Sequence, residues 1–437
     1  MFPAKAQRAI AIDLKISSGA SFVLGIGQRK CDSTAGSFGF DFAEVGNSTY
    51  SSLLRQEIIY MNKVREAVAL FCLLASSCIP LRRNLVMTIP DAPTKPVQLS
   101  GIEESLNTAA ISKLLIIHGM GDHDFTYADP LTKGLSAQLK LTPFSCYANR
   151  IPIKDDAGAP PYAEMTVCDY RRADLKVLRV YTLVWSPLTT HLKLRNLEYD
   201  WKQYGNGRCW ANRAIKDAII DHALSDAVLY AGQFAPRMRY AVAQAICVTI
   251  KDQYELSAPC RLHENSPSVD TERSDIFIVT HSLGSMMLFE SLAELGRESP
   301  KSIAELGRHV KLIAMFANQL PLLQLARYRV AQSTVTLPAD EPEVTLDLKF
   351  DSLFMFRPPQ KPLTVVAFND RNDLLSYPMP DNWPQLFPNF AGRVKFVNAF
   401  NTNALYAIAG IFANPASAHG GYWDNRKIMR VLAKGYP

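Results

Sequence analysis

The chain has 437 residues, 48% of them hydrophobic and 20% charged, the balance of a globular protein with material for one large α/β domain or two to three smaller units. A disordered or collagen-like chain is excluded. Lys and Arg number 47 against 41 Asp and Glu, a formal charge of +6, and no basic block with interleaved aromatics supplies a nucleic-acid footprint. No apolar run reaches the length of a polytopic membrane span. The eight cysteines (Cys31, Cys72, Cys78, Cys146, Cys168, Cys209, Cys247 and Cys260) form no CxxC pair and no zinc-ligand spacing. A disulfide framework is therefore not expected, while one or two bridges in an oxidising compartment stay open.

Residues 1–60 are rich in Ser and Gly and hold no sustained helical or strand period, which reads as a non-native upstream extension or a disordered segment. Residues 61–80, MNKVREAVALFCLLASSCIP, begin basic at Lys63 and Arg65, run apolar from Ala67 to Ala75 and end in small residues before Cys78. That is the layout of a secretory signal segment. Ala75-Ser76-Ser77-Cys78 is similar to the lipobox of bacterial lipoproteins, with Ala75 where Leu is usual and Glu66 at the edge of the apolar run. The expectation is a chain that starts at Met61, is exported to the cell envelope and is tethered to the membrane through Cys78. A buried amphipathic helix in a cytoplasmic protein is the alternative. Residues 81–110, Pro-rich over 90–100 (PDAPTKPVQLS), are expected to be a linker.

From residue 111 to 437, short aliphatic runs alternate with helical patterns. Strands are expected at 113–117 (KLLII), 176–185 (KVLRVYTLVW), 275–279 (DIFIV), 309–316 (HVKLIAMF), 363–368 (LTVVAF) and 393–397 (RVKFV). Near-continuous apolar strands separated by helices predict a mostly parallel α/β sheet with helices on both faces. Residues 186–270 exceed what a crossover needs and are expected to form a helical cap, with Leu224, Leu229, Tyr230 and Phe234 lining an acyl pocket. A second insertion, 331–359, is rich in Pro and acidic residues.

Chemistry-bearing residues concentrate at the C-terminal ends of these strands, where open α/β sheets place their sites. Thr280-His281-Ser282-Leu283-Gly284 joins DIFIV to the helical SMMLFESLAEL. A sharp strand-to-helix turn pushes the Ser282 hydroxyl outward and needs small neighbours; Gly284 complies, and Thr280 stands where a first glycine is usual. His118-Gly119-Met120-Gly121-Asp122 follows KLLII. Its glycine-rich turn can aim the Met120 main-chain N–H at a developing oxyanion, with the Leu283 N–H as partner. His118 is expected to brace this loop through its ring nitrogens. A metal cluster of His118, Asp122, His123 and Asp124 is the rival reading, and it lacks the H-x-H spacing of common zinc hydrolases. After LTVVAF, either Asp373 or Asp370 can orient an imidazole, Asp373 being favoured by the two apolar residues and turn that follow it. His419, in the Gly-flanked loop after the last strand, is the expected base.

The chain order Ser282, Asp373, His419, with HGxG and xHSLG motifs, resembles that of the α/β hydrolases, and in particular lipase/esterase-like serine hydrolases, over about residues 111–437. THSLGS and the segment 224–230 (LSDAVLY) are also similar to intracellular phospholipase-like esterases. The resemblance implies an α/β-hydrolase fold, a Ser-His-Asp triad, a carboxylic ester or lipid substrate cleaved through an acyl-enzyme, and no metal or organic cofactor. Acyl transfer on the same triad and a catalytically silent binding protein are the alternatives.

Overall fold

Strands that are apolar along their whole length must be covered on both sides, and the computed structural model shows how this chain does it. The structure describes residues 11–13, 23–25, 85–147, 151–153, 163–204, 207–209, 212, 216–252, 260, 274–330, 344–346, 362–386, 392–402, 406–407 and 412–437. The main sheet comprises β1 (Val86–Thr88), β2 (Ile111–Ile117), β3 (Thr142–Cys146), β4 (Ile151–Ile153), β5 (Ala163–Arg171), β6 (Val177–Val184), β7 (Ser274–His281), β8 (Val310–Phe316), β9 (Leu363–Asp370) and β10 (Val394–Asn401). Their order is β1-β10-β9-β8-β7-β2-β6-β5-β3, and β4 also pairs with β5. The central run from β10 to β6 is parallel throughout. Antiparallel pairs occur only toward its edges, β1 on β10 and the β3–β6 group on the other side.

The helices used below are α1 (Ile102–Thr108), α2 (Asp129–Leu139), α3 (Pro187–Tyr204), α4 (Ser225–Ala231), α5 (Ala235–Lys251), α6 (Leu283–Glu298), α7 (Pro300–His309), α8 (Pro415–Gly420) and α9 (Arg426–Lys434). Strand residues alternate between two cores. Leu115, Ile117, Ile276, Ile278, Ile313 and Met315 pack with α5, α6 and α7 on one face. Leu114, Ile116, Phe277, Val279, Leu312 and Ala314 pack with α1, α2 and α9 on the other. The protein is thus a mostly parallel α/β sheet between two helical layers, as the strand pattern predicted.

Three expectations change in detail. Of residues 81–110, taken as linker, 85–110 belong to the fold: β1 extends the sheet beside β10, Ile102 and Leu106 of α1 are buried, and Leu99 bridges to Tyr436. Within the expected cap 186–270, α5 lies on the sheet instead, with Met238, Val242, Ile246 and Val248 in the first core. Its apolar residues face strands and α6. Finally, Tyr230 is buried and donates to Glu290 of α6 at 2.5 Å, whereas Leu224 is exposed, so these two side chains do not share one pocket. Residues 11–13 and 23–25 form an antiparallel pair; the rest of 1–60 and the signal-like segment 61–80 lie outside the described residues. So does most of 331–359, where 344–346 pair with 328–330. Among the described residues no helix is long and apolar enough to cross a membrane.

Two disulfides are present among the described residues. Cys146–Cys168 joins β3 to β5, and Cys247–Cys260 ties the last turns of α5 to the chain beyond. Gln244 holds Cys260 through both its main-chain groups, at 2.7 and 2.9 Å.

A buried cation secures α5 to the sheet. Lys113 on β2, 2% exposed, donates to the carbonyls of Thr249 (2.9 Å) and Ile250 (3.4 Å) and pairs with Asp252 at 2.9 Å. A positive charge at a helix C-terminus satisfies orphan carbonyls and the helix dipole together. Asp252 also receives the Tyr181 hydroxyl and Arg179, and Arg179 holds Asp169 bidentately. Burial opposes ionisation of Asp252, yet Lys113, Tyr181 and Arg179 keep its carboxyl below the usual range. The stability it lends is therefore complete above the unfolded carboxylate value and lost as pH falls through the lower folded one. Lys113→Met should cost about 3–5 kcal/mol, the scale for breaking a buried pair, read from the urea midpoint. The same variant should begin acid unfolding at higher pH than the parent.

Candidate active site

Four parallel strands deliver the motif residues to one edge of the sheet. Ser282 follows β7 and serves as the N-terminal boundary residue of α6, with φ +55° and ψ −124°. A non-glycine residue at such angles is strained and must be held by its surroundings. Here the Ser282 N–H donates to the Phe316 carbonyl at the end of β8, at 2.8 Å. The turn also lies directly against the loop after β2. A Cβ at 284 would meet the His118 oxygen at 2.7 Å, and one at 119 would meet Ser282 Cβ at 2.5 Å. Only glycine allows both approaches. Thr280, in the place of the usual first glycine, is buried and hydrogen-bonds Ser285 Oγ at 3.0 Å.

The candidate acid and base follow the strands on the far side of β8. His419 sits near the end of α8, whose N-cap Asn414 accepts the N–H groups of Ala416 and Ser417. His419 Nδ1 is 2.9 Å from Asp373 Oδ1. The same oxygen accepts the Leu375 N–H at 3.0 Å, and Oδ2 accepts the Tyr422 hydroxyl at 3.0 Å. Asp370 faces elsewhere: its Oδ1 accepts the Asn372 N–H at 2.8 Å, and its own N–H donates to Tyr422 Oη at 2.7 Å. Between the two candidates, the carboxylate on His419 is Asp373, and Asp370 braces the turn.

Ser282 Oγ is buried and makes no hydrogen bond among the described residues, so the structure joins His419 to Asp373 and leaves the Ser282–His419 bond unmade. His281, beside them, is kept neutral because burial pushes its imidazole well below the ordinary value. Its Nε2–H donates to the His419 carbonyl at 2.9 Å, and the two rings are 4.8 Å apart. His281 thus holds the backbone of His419 through a main-chain contact.

The loop of residues 118–124 is pinned on nearly every side. Burial keeps His118 neutral; its Nδ1–H donates to the Gly119 carbonyl at 2.8 Å, and Nε2 accepts the Trp185 N–H at 3.1 Å. Trp185 stacks on the His118 ring and donates Nε1–H to the His118 carbonyl. Burial also lowers His123, whose Nε2–H donates to the Met120 carbonyl at 3.1 Å. No hydrogen bond takes the main-chain N–H of Met120 or Leu283 among the described residues.

The side chains of the rival metal reading are committed separately. Both His118 nitrogens are used, Asp122 pairs with Lys193 at 2.7 Å, and Asp124 caps Thr126. One other acidic group, Asp200, Asp217 and Asp221, has oxygens within 4.8 Å of one another, and Arg208 and Lys216 already pair with Asp200 and Asp221.

Sequence reasoning missed Tyr422, His281, Lys193 and Asp226 as parts of this edge. Tyr422 and His281 had a signal, since one lies one turn beyond His419 and the other directly precedes Ser282; Lys193 and Asp226 are brought in only by folding. No protein-family model matches this chain, and no curated protein matches it.

Gly284→Ala should lose about 1–3 kcal/mol of stability, the cost of forcing a methyl into a packed contact, because the atom it meets is backbone. Gly232→Ala is the control, since a Cβ there would have its nearest neighbours at 3.6 Å. Equal thermal midpoints for the two variants would refute the close approach.

Proposed function

We propose that the protein is a serine hydrolase of the α/β-hydrolase type that cleaves carboxylic esters through an acyl-enzyme. The observation that carries the reading is a serine at positive φ, between a parallel strand and a helix, beside a hydrogen-bonded Asp373–His419 pair. Such a turn sets a nucleophile next to helix N-terminal amides, and a carboxylate on Nδ1 leaves Nε2 of the imidazole to take a proton.

In this mechanism His419 Nε2 removes the Ser282 proton as Oγ attacks the ester carbonyl carbon. Asp373 fixes the tautomer and stabilises the imidazolium, and the N–H groups of Met120 and Leu283 receive the oxyanion. The tetrahedral intermediate collapses, the C–O bond to the alcohol breaks, and His419 returns its proton to the leaving oxygen. Water, activated by His419, then hydrolyses the acyl-serine. In a ligand-free site the bond between nucleophile and base often forms only when substrate binds. No step needs a metal or an organic cofactor.

A fluorophosphonate probe should label the parent protein and not Ser282→Ala; a folded parent that resists labelling would make the chain a binding protein instead. Hydrolysis of p-nitrophenyl esters should fall at least ~10³-fold in Ser282→Ala and His419→Ala. Asp373→Asn should fall steeply and Asp370→Asn mildly, and the reverse ranking would move the acid to Asp370.

The second part of the proposal is export to the cell envelope, with Cys78 as a lipid attachment site and lipid esters among the substrates. Two disulfides support it, since such bonds persist in oxidising compartments. Mass spectrometry of native protein tests it: a mature chain found in the reduced cytosol without acylated Cys78 would refute it. Cys247→Ser with Cys260→Ser should lower stability by about 3 kcal/mol, the value for a loop of this length, in urea titrations under oxidising conditions.

A further inference from the structure

We propose that Lys193 and Asp226 are positioning residues that fix the Met120 N–H for the oxyanion, an inference that rests on the hydrolase reading above. Both lie outside the strand edge that supplies Ser282, Asp373 and His419. Lys193 is on α3 and Asp226 on α4, both almost fully buried, at 1% and 0% side-chain exposure. Their Nζ–Oδ2 distance is 3.1 Å. The same Asp226 oxygen accepts the Gly121 N–H at 2.8 Å, and the same Lys193 ammonium reaches Asp122 Oδ1 at 2.7 Å. Thr190 Oγ1 adds a further donor to Asp122 at 2.6 Å.

Consider the two peptide units that flank Met120. The Met120–Gly121 unit is held at both ends, its carbonyl by His123 and its N–H by Asp226. The Gly119–Met120 unit is held at its carbonyl by His118, and its remaining polar group is the Met120 N–H. Gly121 has φ +99°, a conformation that a relaxed loop would populate with several others. The Gly121 N–H to Asp226 bond selects one. A charge-assisted bond from a buried carboxylate is stronger than one from a neutral acceptor, and an isolated buried carboxylate would be costly without its ammonium partner. Burial raises the Asp226 carboxyl above its ordinary value and Lys193 works against that shift, so the ammonium favours the anion that accepts the Gly121 N–H, and Asp226 keeps the loop in register. The buried pair accounts for one role of the helices between β6 and α5: they clamp the loop.

The test compares Asp226→Ala, Asp226→Asn, Lys193→Met and Lys193→Gln with the parent, and Lys202→Met as an exposed control on α3. Three quantities are read: kcat and KM on a p-nitrophenyl ester, and the inhibition constant of a trifluoromethyl ketone. Its carbonyl carbon bonds Ser282 Oγ, the proton passes to His419, and the oxygen becomes an oxyanion. Asp226→Ala and Lys193→Met should lower kcat about 10²-fold, the scale of one oxyanion donor, and raise the ketone inhibition constant by the same factor with KM within twofold. Asp226→Asn keeps an acceptor for Gly121 and should recover about tenfold of that loss. Lys202→Met should match the parent. Folded Asn and Gln variants with parental kcat and ketone affinity would overturn the clamp, as would a rise in KM alone, which would assign the pair to substrate binding. A parent that neither turns over ester nor binds the ketone would instead remove the hydrolase reading, and the clamp with it.

Discussion

The candidate active-site edge depends on two backbones meeting with no side chain between them. The turn that carries Ser282 and the loop that carries Met120 belong to β7 and β2, neighbouring parallel strands. Parallel neighbours end at similar heights, so their following loops must either diverge or touch. Gly119 and Gly284 let them touch, and Ser282 is fixed from its other side by the Phe316 carbonyl of β8. Main-chain N–H groups from two strands can then face one point. A Cβ on either glycine would push the loops apart by more than a hydrogen bond tolerates, and the donors would no longer converge.

Around that contact the protein places neutral rings. Burial lowers His118, His123 and His281, and each spends its N–H on a backbone carbonyl: Gly119, Met120 and His419 respectively. Under the proposed hydrolase mechanism, a buried imidazolium at any of these positions would compete with the charge that develops on His419 during attack. Neutral imidazoles give the same geometric control with no such field. Tyr422 plays a related part between the two aspartates, donating to Asp373 and accepting from the Asp370 main chain, so one hydroxyl ties the carboxylate to the strand end that bears it.

What the sequence disclosed follows from the range of each interaction. The six parallel strands were legible because burial on both faces makes them continuous apolar runs, and the observed β2, β6, β7, β8, β9 and β10 coincide with them. Strand β5, one in from the edge, was not, since AEMTVCDYR alternates buried and half-exposed positions and lacks the continuous apolar run of the central strands. β1 and α1 flank the Pro-rich run 90–100, whose composition resembles a linker. Ser282, the 118–122 turn and Asp373 were legible because each comes within three residues of a strand end; His419 was read into a loop and lies on α8. Asp226 was not, because its partner Gly121 is 105 positions away and nothing local marks a buried carboxylate. The excess apolar residues of 186–270 were visible, but their destination was not: α5 is apolar because it covers the sheet, and composition cannot tell a buried face from a pocket lining.

That destination changes what the segment between β6 and β7 is for. A parallel crossover has to carry the chain from one strand end back to the start of another, and α5 does so, locked to β2 at its C-terminus by Lys113. The additional chain, α3 to α4, enters at Trp185, the residue that stacks on His118 and donates the first hydrogen bonds to the loop. It continues with Ser186 on His123, Thr190 and Lys193 on Asp122, and Asp226 on Gly121. Each contact falls on the same stretch of six residues after β2, 118–123. Any displacement of α3 or α4 is therefore transmitted to the Met120 peptide before it reaches Ser282 or His419, both of which are held by β8, β9 and α8. Under the proposed mechanism, an insertion anchored in this way would couple what binds over it to the Met120 N–H while the Asp373–His419 pair stays on β9 and α8.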